Sequence, residues 1–334
     1  MIKLGVVGAT GLVGLKILEV LKEENLLEDV ELFLIASEKS ANKKMWIYGK
    51  VFDIFELNEK CLEKHFDVVM FSAGESVSLK WAKAFADKGA FVIDNSNAFR
   101  RIENIPLVVP EINGDEISSK TKIISNPNCS TIQLVIALNE ILKVQNVTKV
   151  VVSTYQSVSG AGKKAFFDYK YHTKDYFEKG IVENVIPCIG DMFEDGCCLE
   201  EKKIQFETNK ILKTDFDVVA TSVRVPVPYC HGESVYVELD GEVNIEEIEE
   251  VLNQKEYIKV GDMFLPTDCE NTNLTYVCRL RKVSANGIAF FVIADNLRRG
   301  AAFNAVEIYK KIRKIVCKNH CSTQDFVEKK KKDI

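Results

Sequence analysis

The 334-residue chain lacks any apolar run near the roughly 18 residues that a bilayer-spanning helix needs. Its longest candidate, IAFFVIA at 288–294, has the length of a buried strand. A helical membrane protein is therefore not expected. A basic excess is also missing: 44 Lys and Arg stand against 49 Asp and Glu, for a net charge of −5. That balance argues against a dedicated nucleic-acid binder, although a local basic pocket for a phosphate remains compatible with it. The opening MIKLGVVGATGLVG has no long apolar stretch with a small-residue cleavage site, so it reads as the start of the fold and not as a signal peptide. Without such a signal, the ten scattered cysteines are expected as free thiols in the reducing cytoplasm. Cys317, His320 and Cys321 lack a second ligand pair, so no metal is expected. There is no internal repeat and no low-complexity linker. Histidine is scarce, with four residues at 65, 172, 231 and 320, which narrows the search for a proton-handling imidazole.

What is present is a composition 46% hydrophobic and 28% charged, in a chain long enough for two domains at roughly 150 residues each. Through the first 145 residues, short apolar runs alternate with amphipathic stretches. Strands are expected at IKLGVV (2–7), ELFLIAS (31–37), DVVMFSAG (67–74) and AFVIDNS (90–96), with further short strands in PLVVPEIN and KIISNPN. Helices are expected at 12–24 and 78–89. Such alternation implies a doubly wound α/β sheet of Rossmann type. After Asn146 the texture changes to β-branched runs (TKVVVSTY, DVVATSVRV, SVYVELDG, TYVCRLRKV, IAFFVIADN) with fewer helices between them, VNIEEIEEVLNQ being the clearest. This predicts a second α+β domain with a mixed, largely antiparallel sheet. The helix in GAAFNAVEIYKKIRKIV (300–316) is expected to return to the first domain. The predicted division is 1–128 completed by 297–334, and 129–296. The VEKKKKDI tail reads as a frayed, solvated end.

Gly8-Ala9-Thr10-Gly11-Leu12-Val13-Gly14 falls between the first strand and the first helix. Glycines there permit a tight turn and close backbone approach to a pyrophosphate, and the helix N-terminus supplies free N–H groups. Gly8, Thr10, Gly11, Leu12 and Val13 are the expected contacts. At the end of the second strand, Ser37, Lys39 and Ser40 suit a 2′-phosphate and favour NADP, while Glu38 argues the other way unless it points to solvent.

Ser125-Asn126-Pro127-Asn128-Cys129-Ser130-Thr131 ends a strand and begins the helix TIQLVIALNEIL. The helix dipole favours a thiolate at Cys129, and the first free N–H groups can receive an oxyanion. A dinucleotide fold with such a thiol suggests attack on a carbonyl, hydride transfer at that carbon and a thioester intermediate. Of the four histidines, His231 in RVPVPYCHGES, read as a connection between two strands, is the best acid/base candidate, with Arg224 and Glu233 nearby.

The motifs GATGLVG, ASEKSA, FSAGES, DNSNAFR, VVPEIN, SNPNCST, YQSVSGAGKKA, EEKKIQFETNKIL, RVPVPYCHGES and DNLRRGAAFNAVEI run in this order along nearly the whole chain. Together they resemble the aspartate-β-semialdehyde dehydrogenase family. The resemblance implies NADPH-dependent reductive dephosphorylation of L-aspartyl-β-phosphate to the semialdehyde, with release of phosphate. This reaction serves lysine, threonine, methionine and diaminopimelate synthesis. It also implies a cytoplasmic homodimer or homotetramer in which 129–296 is the catalytic and dimerisation domain. By the same resemblance Cys129 is the nucleophile, His231 the acid/base and Gln156 the residue that orients substrate. Arg224 would clamp the α-carboxylate and Glu200 would meet the α-ammonium, while Arg100, Lys203 and Asn128 hold the phosphate. Ser159, Gly160 and Gly162 would lie near the cofactor and Asn296 near its nicotinamide.

Departures exist: Asn42 and Lys39 stand where the family more often has Gly and Arg, and the stretch from Gly162 to Glu200 is short. N-acetyl-γ-glutamyl-phosphate reductase, the nearest rival, carries a motif more like NPGCY, against Asn128 and Ser130 here. Its acylated substrate has no charged nitrogen for Glu200 to pair. The Cys motif of glyceraldehyde-phosphate dehydrogenase differs again. A non-catalytic dinucleotide-binding paralogue would be expected to lose Cys129 or His231.

Overall fold

Parallel strands buried on both faces need near-continuous apolar sequence, and the first half of the chain supplies it in short runs. A computed structural model describes residues 1–332, with side chains through Lys318. His320, Cys321 and the charges of VEKKKKDI therefore lie outside the described side chains. The first elements are β1 (Ile2–Val7), α1 (Leu12–Glu23), β2 (Val30–Ala36), β3 (Lys44–Ile47), β4 (Lys50–Glu56), α2 (Glu59–Leu62), β5 (Val68–Phe71), α3 (Glu75–Asp87), β6 (Phe91–Asp94), α4 (Pro110–Asn113) and β7 (Ile123–Ser125). The strands form a seven-stranded sheet in the order β3-β4-β2-β1-β5-β6-β7, parallel throughout except for the β3–β4 hairpin. It is the expected doubly wound sheet, and its strand order reverses between β1 and β5, where such folds bind ligands beyond the strand C-termini.

Two features were not expected. The β3–β4 hairpin turns through Tyr48 and Gly49, both at positive φ. PLVVPEIN contributes one bridge, Leu107 to Ser125, before Pro110 starts a helical turn; Pro fits the first helical position, where its missing N–H leaves no bond unmade. The core around this sheet is aromatic, with Phe33, Phe66, Phe71 and Phe85 in edge contacts at 5.2–5.8 Å.

The next elements are α5 (Cys129–Leu142), β8 (Val147–Gln156), α6 (Lys163–Tyr171), α7 (Leu199–Leu212), β9 (Asp217–Arg224), β10 (His231–Leu239), α8 (Ile245–Asn253), β11 (Ile258–Gly261), α9 (Pro266–Cys269), β12 (Thr275–Lys282) and β13 (Gly287–Ala294). A wide π-type turn, Arg298–Phe303, leads into α10 (Asn304–Lys332). The second sheet runs β11-β12-β13-β10-β8-β9; its outer pairs are parallel and its three inner pairs antiparallel, the predicted mixed and largely antiparallel arrangement. The short strand β11 carried no sequence prediction. α5, α7 and α8 cover one face. α5 is apolar almost all round and buried along nearly its whole length, as a helix in the middle of a core must be. The opposite face exposes Val151, Tyr155 and Val219, with Tyr155 stacked on Phe291 at 5.9 Å.

By their internal contacts the elements divide into two units, Met1–Thr10 with Ile17–Asn126 and Ala305–Ile334, and Gly11–Lys16 with Pro127–Asn304.

Candidate active site

Register decides which side chains share the end of the second sheet. β8 and β9 are parallel and pair Gln156 with Arg224. β10 runs antiparallel to β8 with Gly232 opposite Tyr155, so His231, one residue earlier, falls beside Gln156. Arg224, Gln156 and His231 therefore form a row across three strands on the face covered by α5. Each is at most 5% exposed. His231 opens β10; it is not in the connection where the sequence reading put it, because its pairing with Ala294 carries the strand further back than the apolar pattern suggests.

Cys129 is the first residue of α5. Asn128 caps the helix, its Oδ1 accepting from the Ser130 N–H at 2.9 Å and the Thr131 N–H at 3.4 Å. The cap is held from α7: the Asn128 N–H donates to Glu207 at 2.6 Å and its Nδ2 to Glu200 Oε1 at 2.8 Å. Glycine backs the thiol residue at Gly300, where a Cβ would come within 2.9 Å of the Cys129 Cβ.

Glu200 accepts from three donors with one carboxylate. Besides Asn128, Gln156 Nε2 reaches Oε1 at 3.2 Å and Lys203 Nζ reaches Oε2 at 3.0 Å. Burial works to raise its pKa, but Lys203, Asn128 and Arg224 outweigh that and hold it down at about 2. Arg224 donates from Nη1 to the Ser157 carbonyl at 2.6 Å; burial lowers its pKa and the charges of Glu200 and Cys129 oppose that.

His231 is fully buried, and its Nδ1 accepts from the Ser157 backbone N–H at 3.0 Å. A backbone donor at Nδ1 places the proton of the neutral ring on Nε2. That nitrogen has no partner among the described residues. Burial first, and the Arg224 charge second, push the imidazole pKa down to about 3, so the ring is neutral near pH 7. Gly160 lies against the ring, where a Cβ would sit 3.0 Å from Nε2 and 3.2 Å from Arg224 Nη1. Gly162 has φ 90° and turns the chain into α6. Asn296 gathers this corner, its Oδ1 accepting from Ser157 Oγ, Ser159 Oγ and the Cys230 N–H at 3.0–3.2 Å.

The structure thus brings together Cys129, Asn128, Gln156, Glu200, Lys203, Arg224 and His231, with Ser159, Gly160 and Asn296 beside them. Arg100 belongs to the first unit, where it donates to the carbonyls of Asn95 and Asn126. So do Ser37, Lys39 and Ser40, in a turn after β2 with Ser37 and Lys39 exposed; Glu38 there is exposed as well. Gly8 follows β1 with φ 82°, and a Cβ there would lie 2.6 Å from the Ser72 carbonyl after β5. This bare backbone bend, followed by the Leu12 and Val13 N–H groups at the start of α1, fits a dinucleotide pyrophosphate. Glu207, Ser157 and Gly300 were missed. Glu207 alone left a trace, lying seven residues after Glu200 on the same face of α7.

A helix-capped thiol, a buried imidazole and a buried guanidinium in one unit, and a doubly wound sheet with a glycine bend in the other, are parts that suit an oxidoreductase. The comparisons with known proteins agree. Residues 3–120 match the family model "Semialdehyde dehydrogenase, NAD binding domain" and residues 138–299 match "Semialdehyde dehydrogenase, dimerisation domain". The chain is 43% identical to an Aquifex aeolicus aspartate-semialdehyde dehydrogenase, over 92% of this chain and 96% of that protein. It is 38% identical to the Bacillus subtilis enzyme of that name, over 93% and 97%. A crystal structure of the Vibrio cholerae aspartate semialdehyde dehydrogenase II, complexed with ASA, superimposes with a TM-score of 0.88 at 36% identity, covering 94% of this chain and 98% of that one. The chain belongs to the aspartate-semialdehyde dehydrogenase family, and it is an enzyme of that oxidoreductase class.

Proposed function

We propose that the enzyme converts L-aspartyl-β-phosphate to L-aspartate-β-semialdehyde with NADPH, through a thioester on Cys129. The observation that carries this reading is the row of Arg224, Gln156 and His231 on the face that α5 covers, with Cys129 at the start of that helix.

The Cys129 thiolate attacks the β-acyl phosphate; the C–S bond forms, the C–O bond to phosphate breaks and phosphate leaves. NADPH, when bound, supplies the hydride that reduces the thioester carbon. His231 Nε2–H donates to the oxygen that turns negative in each addition, and the tetrahedral species collapses to aldehyde and Cys129 thiolate. Arg224 holds the α-carboxylate with its planar fork. Glu200 takes the α-ammonium at the oxygens that now accept from Asn128, Gln156 and Lys203. Lys203, Asn128 and Arg100 receive the phosphate, and Gln156 orients the acyl group. The cofactor contacts are Gly8, Thr10, Gly11, Leu12 and Val13 for the pyrophosphate, and Ser37, Lys39 and Ser40 for the 2′-phosphate that distinguishes NADP. Ser159, Gly160, Gly162 and Asn296 serve the nicotinamide end. Residues 1–128 with 297–334 act as the dinucleotide-binding domain and 129–296 as the catalytic and dimerisation domain. A second copy of the chain covers the apolar sheet face of Val151, Tyr155 and Val219. Lysine, threonine, methionine and diaminopimelate synthesis in the cytoplasm is the setting this reading implies.

Reduction of NADP by L-aspartate semialdehyde, followed by absorbance with and without phosphate, tests the reading. N-acetylglutamate semialdehyde is run in parallel. Phosphate-dependent turnover with the first aldehyde alone is expected. Turnover with the acylated aldehyde would move the enzyme to the rival reductase and remove Glu200 as an ammonium ligand.

A further inference from the structure

Two residues beyond His231, the second sheet holds an acid that the mechanism does not use. Glu233 is fully buried, and both of its carboxyl oxygens lack a hydrogen-bond partner. The period-2 alternation of a strand puts it on the same face of β10 as His231, towards α5. Ser130 and Gln133 of α5 interact with it and favour its charged form, a smaller effect than burial, which favours the neutral acid. Both are fully buried, and each also has an unpartnered oxygen: Ser130 Oγ and Gln133 Oε1. The orientation of Gln133 is set by its other end, because Nε2 donates to the His231 carbonyl at 3.1 Å and the Val292 carbonyl at 3.3 Å. Its oxygen therefore points away from those carbonyls and needs a donor.

Gln133 Nε2 is already committed to two carbonyls, so counting the remaining donors bears on the state of the acid. Were Glu233 ionised, Ser130 and Gln133 would have one uncommitted side-chain proton between them for its two oxygens, that of the Ser130 hydroxyl. Were it protonated, its O–H would donate to Gln133 Oε1 and the Ser130 O–H to its carbonyl oxygen. Its neighbours are neutral on every side: Ser130 and Gln133 from α5, Thr154 across from β8 and Val292 across from β13. An ionised, unpaired carboxylate in such a place is costly, whereas a satisfied neutral acid is not.

We propose that Glu233 is a positioning residue. As a neutral carboxylic acid it bridges Ser130 and Gln133, and through Gln133 it holds the His231 backbone in register with Cys129, the neighbour of Ser130. The inference rests on the roles given above to Cys129 and His231. Burial also drives the Glu233 pKa well above the ordinary carboxylate range, in the same direction.

The test combines a variant series with a direct probe of protonation. Glu233→Gln places an amide N–H where the acid proton was and a carbonyl where Ser130 donates. Glu233→Ala removes both. With L-aspartate semialdehyde, phosphate and NADP, Glu233→Ala is expected to lower kcat by about tenfold or more while KM moves less than about twofold, the loss expected when a buried donor and acceptor lose their partner. Glu233→Gln is expected to restore most of that turnover. In the wild-type enzyme, with glutamate side chains carrying carbon-13 carboxyls, the signal lost in Glu233→Gln is expected not to titrate between pH 4 and about 7. Equal losses in Glu233→Gln and Glu233→Ala overturn the proposal. So does titration of that signal near the ordinary glutamate value, which stands even if Glu233→Ala fails to fold. Cys129→Ser assayed beside them separates the two readings: if it turns over normally, the underlying mechanism fails and not the Glu233 inference alone.

Discussion

In the first sheet the central strands β1 and β5 bury apolar side chains, and polar groups gather in the bends after β1, β2 and β5: Gly8 to Leu12, Ser37 to Ser40, and Ser72. In the second sheet a polar row is buried within the strands themselves, running through Arg224, Gln156 and His231 with Glu233 one step further in. Bends made of backbone suit a ligand recognised by its phosphates, since N–H groups and a helix dipole need no particular side chain. A buried row suits chemistry, because a low local dielectric strengthens each charge and hydrogen bond and fixes protonation states. On the proposed function, damage to the second sheet should stop turnover while cofactor binding survives, and damage to the first should weaken cofactor binding and, through it, turnover.

The largest break in that comparison is Cys129→Ala. Turnover should fall on the order of 10⁴-fold or more, as for loss of an enzyme nucleophile, with NADP affinity by titration calorimetry unchanged. Substantial remaining turnover would remove Cys129 as nucleophile. Next in size is Arg224→Leu, which takes away a charged partner worth about 2 kcal/mol or more, so KM for the aldehyde should rise roughly 30-fold. An unchanged KM would rule out the carboxylate clamp.

A pH effect sharpens the contrast. The folded His231 pKa is depressed to about 3 from an unfolded value near 6.5, so between those values the unfolded chain binds the extra proton. Its contribution to stability is complete above about pH 6.5 and is lost as pH falls towards 3. Glu200 and Glu233 shift too, and a His231→Gln variant keeps both residues, so the comparison isolates the imidazole. Denaturant unfolding of the variant should therefore lose stability less steeply over that window, by up to roughly 1.4 kcal/mol per pH unit. Parallel slopes would mean that His231 is not held neutral. The smallest effect belongs to the first sheet. Lys39 is exposed, so Lys39→Ala should weaken NADPH binding only about threefold and leave NADH binding as it was. Equal losses for both cofactors would remove Lys39 from the 2′-phosphate site.

Much of this was legible before any coordinates. The glycine bend, the alternation of the first 145 residues and the cysteine at a helix start are local patterns, in which turn chemistry and hydrophobic period speak for themselves. Where distant partners decide, the reading failed. PLVVPEIN looks like a strand by composition, yet Pro110 opens a helical turn after a single bridge. The β3–β4 hairpin alternates weakly and depends on β4 pairing with β2. His231 is on a strand because Ala294 of β13 pairs with it, and nothing near it in the chain says so.

By itself, the sequence determined the two kinds of sheet and the placing of a thiol at a helix start, because each follows from short-range periodicity and from backbone limits on Gly, Pro and Asn. Only the tertiary structure decided that Glu207 anchors the Asn128 N–H, that Ser157 sets the tautomer of His231 and that Gly300 makes room for Cys129. Those contacts join residues tens to hundreds of positions apart. Which polar group meets which is then a matter of strand register and close packing, and no local pattern records it.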